Sequence, residues 1–125
     1  MLIATNDADL RAWRARVTAC AQSALARLPG PILGPVALEA TFTLERPRSA
    51  PRGRVWPDRP PDIDKLVRAI CDAITRAGLW ADDARVIDLT ARKTYPDSPC
   101  PDRLDTPGVT IRIRPITLDP ALPGL

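Results

Sequence analysis

Residues 61–80 read PDIDKLVRAICDAITRAGLW, and this stretch decides the fold. Its apolar residues recur every three or four positions, which is typical of a helix with one buried face. Two prolines precede the pattern and Gly78 follows it, as is usual at the two ends of a helix. The sequence therefore predicts an amphipathic helix from Asp62 to Ala77. Its buried stripe consists of Ile63, Leu66, Val67, Ile70, Ile74 and Ala77.

The segments on either side predict a second helix and three strands. One helix is predicted to begin after Asn6, a suitable cap, and to continue to Leu28 with apolar residues at helical spacing. A Pro-Gly-Pro sequence then ends it. Residues 35–45 and 108–116 alternate apolar and polar side chains, as half-buried strands do, and residues 85–95 have the β-branched content of another strand. The order helix, strand, helix, strand, strand favours an α+β fold, in which two main helices pack on a small mixed sheet.

The alternation also predicts which strand side chains face the core. The inward set is Val36, Leu38, Ala40, Phe42, Leu44, Val109, Ile111 and Ile113. The outward set is Glu39, Thr41, Thr43, Glu45, Thr110, Arg112 and Arg114. Trp13 and Trp80 are expected in the core as well.

The chain has 125 residues, of which 45% are apolar and 26% charged, a balance typical of one compact domain. We expect residues 1–117 to form this domain and residues 118–125 to form a poorly ordered tail. A core of this size is modest, so association into a homodimer would be an unsurprising supplement. No stretch has the pattern of a membrane span or a secretion signal. Three cysteines without a CxxC motif indicate a reducing cytoplasm rather than disulfides or zinc.

The charged residues narrow the chemistry. The sequence contains no histidine, which excludes catalysis by Ser/His/Asp, Cys/His and HExxH arrangements. Its 16 arginines greatly outnumber its two lysines, and arginine suits bidentate phosphate recognition. Residues 46–61, RPRSAPRGRVWPDRPP, combine five prolines, five arginines and one aspartate, and so predict an exposed, partly mobile loop without regular structure. Such a loop could follow a phosphate backbone while Trp56 stacks on a base; the alternative is a solvated linker.

Carboxylates are concentrated at the two ends of the helix over residues 62–77. Asp62 and Asp64 bracket its start, and Asp82 and Asp83 lie beyond its end. Without histidine, such carboxylates suit Mg²⁺ or Mn²⁺, which prefer oxygen ligands and can activate water for phosphodiester hydrolysis. Because the helix is roughly 24 Å long, tertiary folding or a dimer must unite them. The alternative is structural, with Asp62 as a cap, Asp64 as a partner of the helix dipole and Asp82-Asp83 as a polar turn.

Two further charged residues lie inside the same helix. Arg68, one turn after Asp64, either reaches a phosphate held at the carboxylates or forms a salt bridge. Asp72, four residues after Arg68, is accounted for by a surface ion pair with that arginine.

The sequence of residues 61–95, PDIDKLVRAICDAITRAGLWADDARVIDLTARKTY, resembles the signature of the RusA-type Holliday junction resolvases. The resemblance rests on Asp-x-Asp, a basic residue four places later, an Asp-Ala pair, Gly-aliphatic-Trp, and Asp-Asp at a fixed distance. It implies a homodimeric, Mg²⁺-dependent endonuclease that cuts four-way DNA junctions and needs no small-molecule cofactor. By this likeness Asp62, Asp64 and Asp83 correspond to the metal-binding carboxylates, and Arg68 stands where the family usually has an essential lysine.

The chain departs from the family pattern at two further points. Lys65 stands where family members commonly have asparagine. The family also usually begins with an extra strand, whereas this chain starts almost at its first helix, so we expect either a shortened sheet or a mis-set start codon.

Basic side chains outside the carboxylate site are candidates for DNA contact. These are Arg46, Arg48, Arg52, Arg54, Arg59, Lys65, Lys93, Arg112 and Arg114. The alternatives to a resolvase are a non-catalytic DNA-binding dimer with a degenerate nuclease site and a metal-stabilised structural domain.

Overall fold

The structure is a computed structural model that describes residues 2–5 and 10–117. The predicted cap at Asn6 and the predicted tail of residues 118–125 lie outside the described residues. The described elements are β1 (Leu2–Thr5), α1 (Leu10–Leu25), β2 (Val36–Thr43), α2 (Ile63–Ala77), a 3₁₀ helix (Asp83–Arg85), β3 (Val86–Thr94) and β4 (Gly108–Pro115). The strands form one sheet in the order β1-β4-β2-β3, in which β2 and β3 are parallel and the other pairs are antiparallel. The predicted α+β class with a mixed sheet and two helices is therefore confirmed.

The core lies between the two helices and one face of the sheet. Apart from Leu44, which is half-buried, every strand residue predicted to face inward is buried. Trp13 of α1 stacks on Phe42 of β2 with ring centroids 5.7 Å apart. α2 adds Leu66, Ile70 and Ile74, each at most 2% exposed. Because burial of one such side chain is worth about 1.5–3 kcal/mol, this apolar face is the main reason that α2 packs where it does.

A tight turn ends α2 and reverses the chain. Gly78 has a left-handed backbone (φ 78°), a conformation that glycine adopts without a Cβ clash, and its N–H bonds the carbonyl oxygens at the end of the helix. Trp80 follows, fully buried as predicted, and its indole Nε1 donates to Thr75 Oγ1 at 2.8 Å. The turn therefore folds residues 81–83 back beside the last part of α2.

Two predicted boundaries at the N-terminal side were wrong. β1 is present and pairs with β4, so the sheet is not shortened to three strands. A strand of four residues is too short to show an alternating pattern, and its pairing with β4 is what defines it. α1 ends at Leu25 rather than Leu28, because the residues that follow form tighter 3₁₀-type turns. In these turns Arg27 N–H donates to Ala24 O, and Leu28 N–H donates to Leu25 O.

The outer face of the sheet is more covered than the alternation predicted. Thr41, Thr43 and Thr110 were expected to face solvent, but all three are buried. The loop between β3 and β4 covers two of them: Leu104 N–H donates to Thr43 Oγ1 at 2.9 Å, and Thr110 Oγ1 donates to the carbonyl of residue 102 at 3.1 Å. Thr41 Oγ1 accepts from Arg92 of β3 at 3.5 Å. These bonds satisfy the buried hydroxyl groups, as burial of polar atoms requires.

The loop of residues 46–61 contains no helix or strand, as predicted, and it is tied to the rest of the fold. Arg46 donates to Arg54 O at 2.7 Å, and its guanidinium carbon lies 4.5 Å from the centre of the Tyr95 ring. Ser98 Oγ donates to Val55 O from the opposite side. These contacts hold a proline-rich segment in place without backbone pairing. Among the described residues, no helix is long and apolar enough to cross a membrane, and no disulfide is formed.

The hydrogen bond between Trp80 and Thr75 can be tested by exchanging the threonine hydroxyl for a methyl group. Thr75→Val should lower the free energy of unfolding by about 1–3 kcal/mol, because it leaves a buried indole N–H without its acceptor. Thr75→Ser, which keeps the hydroxyl, should retain most of the stability. Urea denaturation of the three proteins measures the difference. A valine variant as stable as wild type would show that the hydrogen bond does not hold the turn.

Candidate functional site

Two predicted site carboxylates lie at the N-terminus of α2. Asp62 occupies the N-cap position, but its side chain makes no capping hydrogen bond. Its described side-chain contact is a long ion pair, 3.9 Å from Lys65 Nζ. Asp64 is exposed in the first turn of the helix. Both carboxylates are thus accessible to solvent.

Lys93 of β3 fixes the segment that leads to Asp62. Its Nζ donates to Arg59 O at 2.9 Å and to Pro61 O at 3.0 Å. The ammonium group therefore fastens the last residues of the loop to the sheet immediately before α2 begins. Lys93 was predicted as a DNA contact, but in the structure its ammonium group bonds two backbone carbonyl groups of the same chain.

The other predicted carboxylate, Asp83, belongs to an acidic cluster formed by Asp72, Asp82 and Asp83. These residues line one cleft of about 420 Å³ together with Thr75, Arg76 and Ala81. The predicted ion pair between Asp72 and Arg68 is wrong. Among the described residues these two side chains do not pair, and Asp72 lies instead beside Asp82 and Asp83. The turn after α2 is the reason, because it folds the Asp82-Asp83 segment against this part of the helix.

The carboxylates of the acidic cluster perturb one another. Asp82 Oδ1 accepts the Ala84 N–H at 2.9 Å, and this bond lowers the pKa of Asp82. A hydrogen bond to Asp82, partial removal from water and the negative charges of Asp82 and Asp72 raise the pKa of Asp83. Burial, together with the charges of Asp83 and Asp72, raises the pKa of the Cys71 thiol to about 11. That thiol stays protonated at neutral pH and is unsuited to act as a nucleophile.

The two groups of carboxylates are separated along α2. Asp64 and Asp72 are eight residues apart, which corresponds to about 12 Å of helix. Arg68 lies exposed between them. Within residues 2–5 and 10–117, no group of three or more Asp, Glu, His or Cys side chains could hold a metal ion. The oxygen donors therefore suit Mg²⁺ chemically, but the geometry of one chain does not supply three ligands at one point.

The arginines of the loop differ in what they contact. Arg54 and Arg59 both pair with Asp58, at 3.7 and 3.2 Å, and Arg46 is held by the contacts already described. Arg48 and Arg52 are exposed, and no hydrogen bond or ion pair is described for either. Of the five predicted DNA-binding arginines in the loop, Arg48 and Arg52 thus keep their charge most available.

The predicted DNA contacts on β4 lie beside a network on the outer face of the sheet. Arg112 pairs with Asp102, and Arg92 lies 3.0 Å from Glu39 and 3.8 Å from Asp102. The Arg112 hydrogen bond and the charges of Arg112 and Arg92 lower the pKa of Asp102. Arg114 is exposed at the edge of a cleft that also contains Asp88. The charge of Arg112 is therefore largely offset within the chain.

Sequence reasoning missed two residues near the acidic cluster. Arg76 lines the same cleft as Asp82 and Asp83, and Arg14 of α1 lies with Arg76 along the neighbouring groove between the helices. Arg14 was recognisable in the sequence as lying off the apolar stripe of its helix. Its proximity to the carboxylates depends on how the two helices pack, which no local pattern reveals.

The sequence comparisons place the chain in a nuclease family. The family model for endodeoxyribonuclease RusA matches residues 3–114, so the chain belongs to this family. The match includes Asp62, Asp64, Arg68 and Asp83.

Two curated relatives match shorter segments. The uncharacterized protein YqaN of Bacillus subtilis (strain 168) is 30% identical over 78 residues, which cover 54% of this chain and 54% of that protein. The crossover junction endodeoxyribonuclease RusA of Escherichia coli (strain K12) is 50% identical over 32 residues, 26% of this chain and 27% of that protein. The matched segments thus span about half and about a quarter of these relatives.

Asp102 makes the stability of the outer-face network depend on pH. Its pKa in the folded protein lies below the value of about 3.9 for an unfolded chain, so the stabilisation is fully present above that pH and is lost as pH falls through the folded pKa. Asp102→Asn should therefore be less stable than wild type at pH 7, and the difference should shrink at pH 3. Urea denaturation at the two pH values checks this. A difference that is unchanged at pH 3 would contradict the charge-dependent role of Asp102.

The two lysines offer a matched test of the Lys93 contact. Lys93→Met should lower the free energy of unfolding by about 1–2 kcal/mol, because two carbonyl groups lose their donor. Lys65→Met, at an exposed position, should change it by no more than about 0.5 kcal/mol. Duplex DNA binding at several salt concentrations completes the test. If Lys93→Met leaves stability unchanged but reduces the salt dependence of binding, Lys93 contacts phosphate instead.

Proposed function

We propose that this protein is a metal-dependent endodeoxyribonuclease that resolves four-way DNA junctions by paired phosphodiester hydrolysis, acting in DNA recombination and repair in the cytoplasm. The observation that carries the proposal is the family match over residues 3–114, because it spans all four predicted site residues. The Escherichia coli relative is a crossover junction endodeoxyribonuclease, which supports the same substrate. Junction DNA is thus the proposed partner.

The proposed cofactor is Mg²⁺, with Mn²⁺ as a substitute. Asp62, Asp64 and Asp83 would hold it, and the ion when bound would polarise the phosphodiester and activate water. The accessibility of Asp62, whose carboxylate is not used as a cap, supports this role. The hydrogen bond to Asp82 and the nearby carboxylates, which together raise the pKa of Asp83, gather oxygen donors and negative charge that a bound cation would offset.

Arg68 would hold the substrate rather than move a proton. Its exposed guanidinium lies one helical turn after Asp64. An arginine side chain can stabilise negative charge on a phosphate oxygen but is unsuited to act as a general acid or base.

We further propose that the active unit is a homodimer. About 12 Å of helix separates Asp64 from Asp72 of the acidic cluster, which favours a second copy of the chain as the source of the third carboxylate. β3 is an edge strand, and Ile87 and Leu89 on it are 60% and 49% exposed. An apolar edge of this kind favours pairing with another chain. Two symmetry-related sites would make the two nicks that junction resolution requires.

The experiment compares a labelled four-way junction with a matched linear duplex, in Mg²⁺ or in EDTA. Wild type should make paired, metal-dependent nicks confined to the junction. Asp64→Asn and Asp83→Asn should each lower the rate by at least about a hundredfold, the scale on which loss of one catalytic electrostatic group lowers kcat. Asp105→Asn, an exposed carboxylate in the loop between β3 and β4 and outside the acidic cluster, is the control and should cut at nearly the wild-type rate.

The possible outcomes separate the proposed activity from its alternative. Junction binding without nicks would contradict the nuclease and favour a non-catalytic DNA-binding dimer, an alternative that the absence of a three-ligand group in one described chain supports. Cutting of the linear duplex at the same rate would contradict junction specificity.

A further inference from the structure

A groove of about 520 Å³ runs between α1 and α2 on the side of the helices away from the sheet. α1 contributes Arg14, Thr18 and Gln22 to its walls, and α2 contributes Asp72 and Arg76. Thr18 Oγ1 donates to Ala73 O across the two helices at 3.3 Å, which fixes their separation at this point. The remaining lining residues, all small, are Ala15, Ala19 and Ala73. The groove is thus formed by the packing of the two helices, and it has polar walls and a floor of alanines.

Arg14 and Arg76 both line this groove and are both exposed. In the described part of the chain, neither guanidinium has a hydrogen bond or an ion pair. Asp72 precedes Arg76 by four residues, a spacing that allows a helical ion pair, but the two side chains do not form one within the described contacts. Arg46 and Arg112, by contrast, have internal partners. The groove therefore presents two arginines whose N–H donors are available for the oxygens of an anionic group such as a phosphate.

The groove continues into the acidic cluster. Asp72 and Arg76 line both the groove and the cleft that contains Asp82 and Asp83. A chain of phosphates lying in the groove would be held by the arginines on one side and would meet the carboxylates on the other. Positive charge beside a carboxylate site is what a polyanion needs in order to approach it.

We infer that the groove between α1 and α2 binds a backbone phosphate of DNA, held by Arg14 and Arg76, next to the phosphodiester that enters the acidic cluster. The inference rests on the proposed function, because it takes DNA as the substrate. Gln22 lies on the same wall as Arg14 and can add an amide donor to a phosphate oxygen.

The test measures junction binding in EDTA, where no cutting takes place, at several salt concentrations. Arg14→Gln and Arg76→Gln should each weaken binding by roughly three- to tenfold and reduce the slope of log K against log salt by about 1. Arg16→Gln is the matched control. Arg16 is exposed on the same helix, and two residues of α-helix place it about 200° around the axis from Arg14. It should retain the wild-type affinity and slope, and thermal unfolding should show all three variants folded.

Each outcome decides one of the two proposals. If Arg14→Gln and Arg76→Gln bind like Arg16→Gln, whether all three match wild type or all three weaken equally, the groove is not the phosphate site and the inference fails. If wild type binds the junction with the predicted dependence on Arg14 and Arg76 but never cuts it in Mg²⁺, the nuclease proposal fails while the groove assignment stands.

Discussion

The turn after α2 decides where the acidic side chains lie. Gly78 allows the chain to leave the helix in a left-handed conformation, and the buried indole of Trp80 anchors the segment that follows. A parallel bridge between Ile32 and Trp80, with Ile32 N–H on Leu79 O at 2.8 Å, fastens the same point to the connection between α1 and β2. Since Asp82 and Asp83 follow within three residues, their place beside Asp72 is a consequence of this anchor and not of any attraction between carboxylates, which repel one another.

The arginines fall into two groups: those that hold the fold through internal contacts and those whose charge is free to bind a phosphate. A guanidinium that bonds a backbone carbonyl or pairs with an internal carboxylate has fewer donors left for a phosphate. Arg46, Arg54 and Arg59 stabilise a loop that has no backbone ladder, and Arg112 offsets the carboxylate of Asp102. The net charge of +3 is thus a poor guide to where DNA would lie, because much of the positive charge is already paired. Among the described residues, the arginines without an ion pair or hydrogen bond include Arg48 and Arg52 of the loop and Arg14 and Arg76 of the helices.

How much the sequence could predict depended on whether each feature is local. The bounds of α2, the inward faces of β2 and β4 and the burial of Trp80 follow from spacing along one element, and the structure confirms them. The burial of Thr41 and the position of Asp72 depend on segments far away in the chain, so a local pattern assigned them wrongly. The clustering of carboxylates at the two ends of the helix suggested the candidate ligands, and the resemblance to a family selected Asp62, Asp64 and Asp83 among them. Their common function therefore stays a prediction, although the structure shows what surrounds each of them.

α2 acts as a rigid spacer between two sets of carboxylates. A continuous helix has a fixed rise per residue, so about 12 Å of helix separates Asp64 from Asp72 of the acidic cluster. Arg68 lies about halfway between the two sets. Under the proposed function, a second copy of the chain would supply the carboxylates that one copy does not bring to the phosphodiester. Assembly of the site would then depend on association of two chains, because an isolated chain would hold the carboxylates accessible but apart.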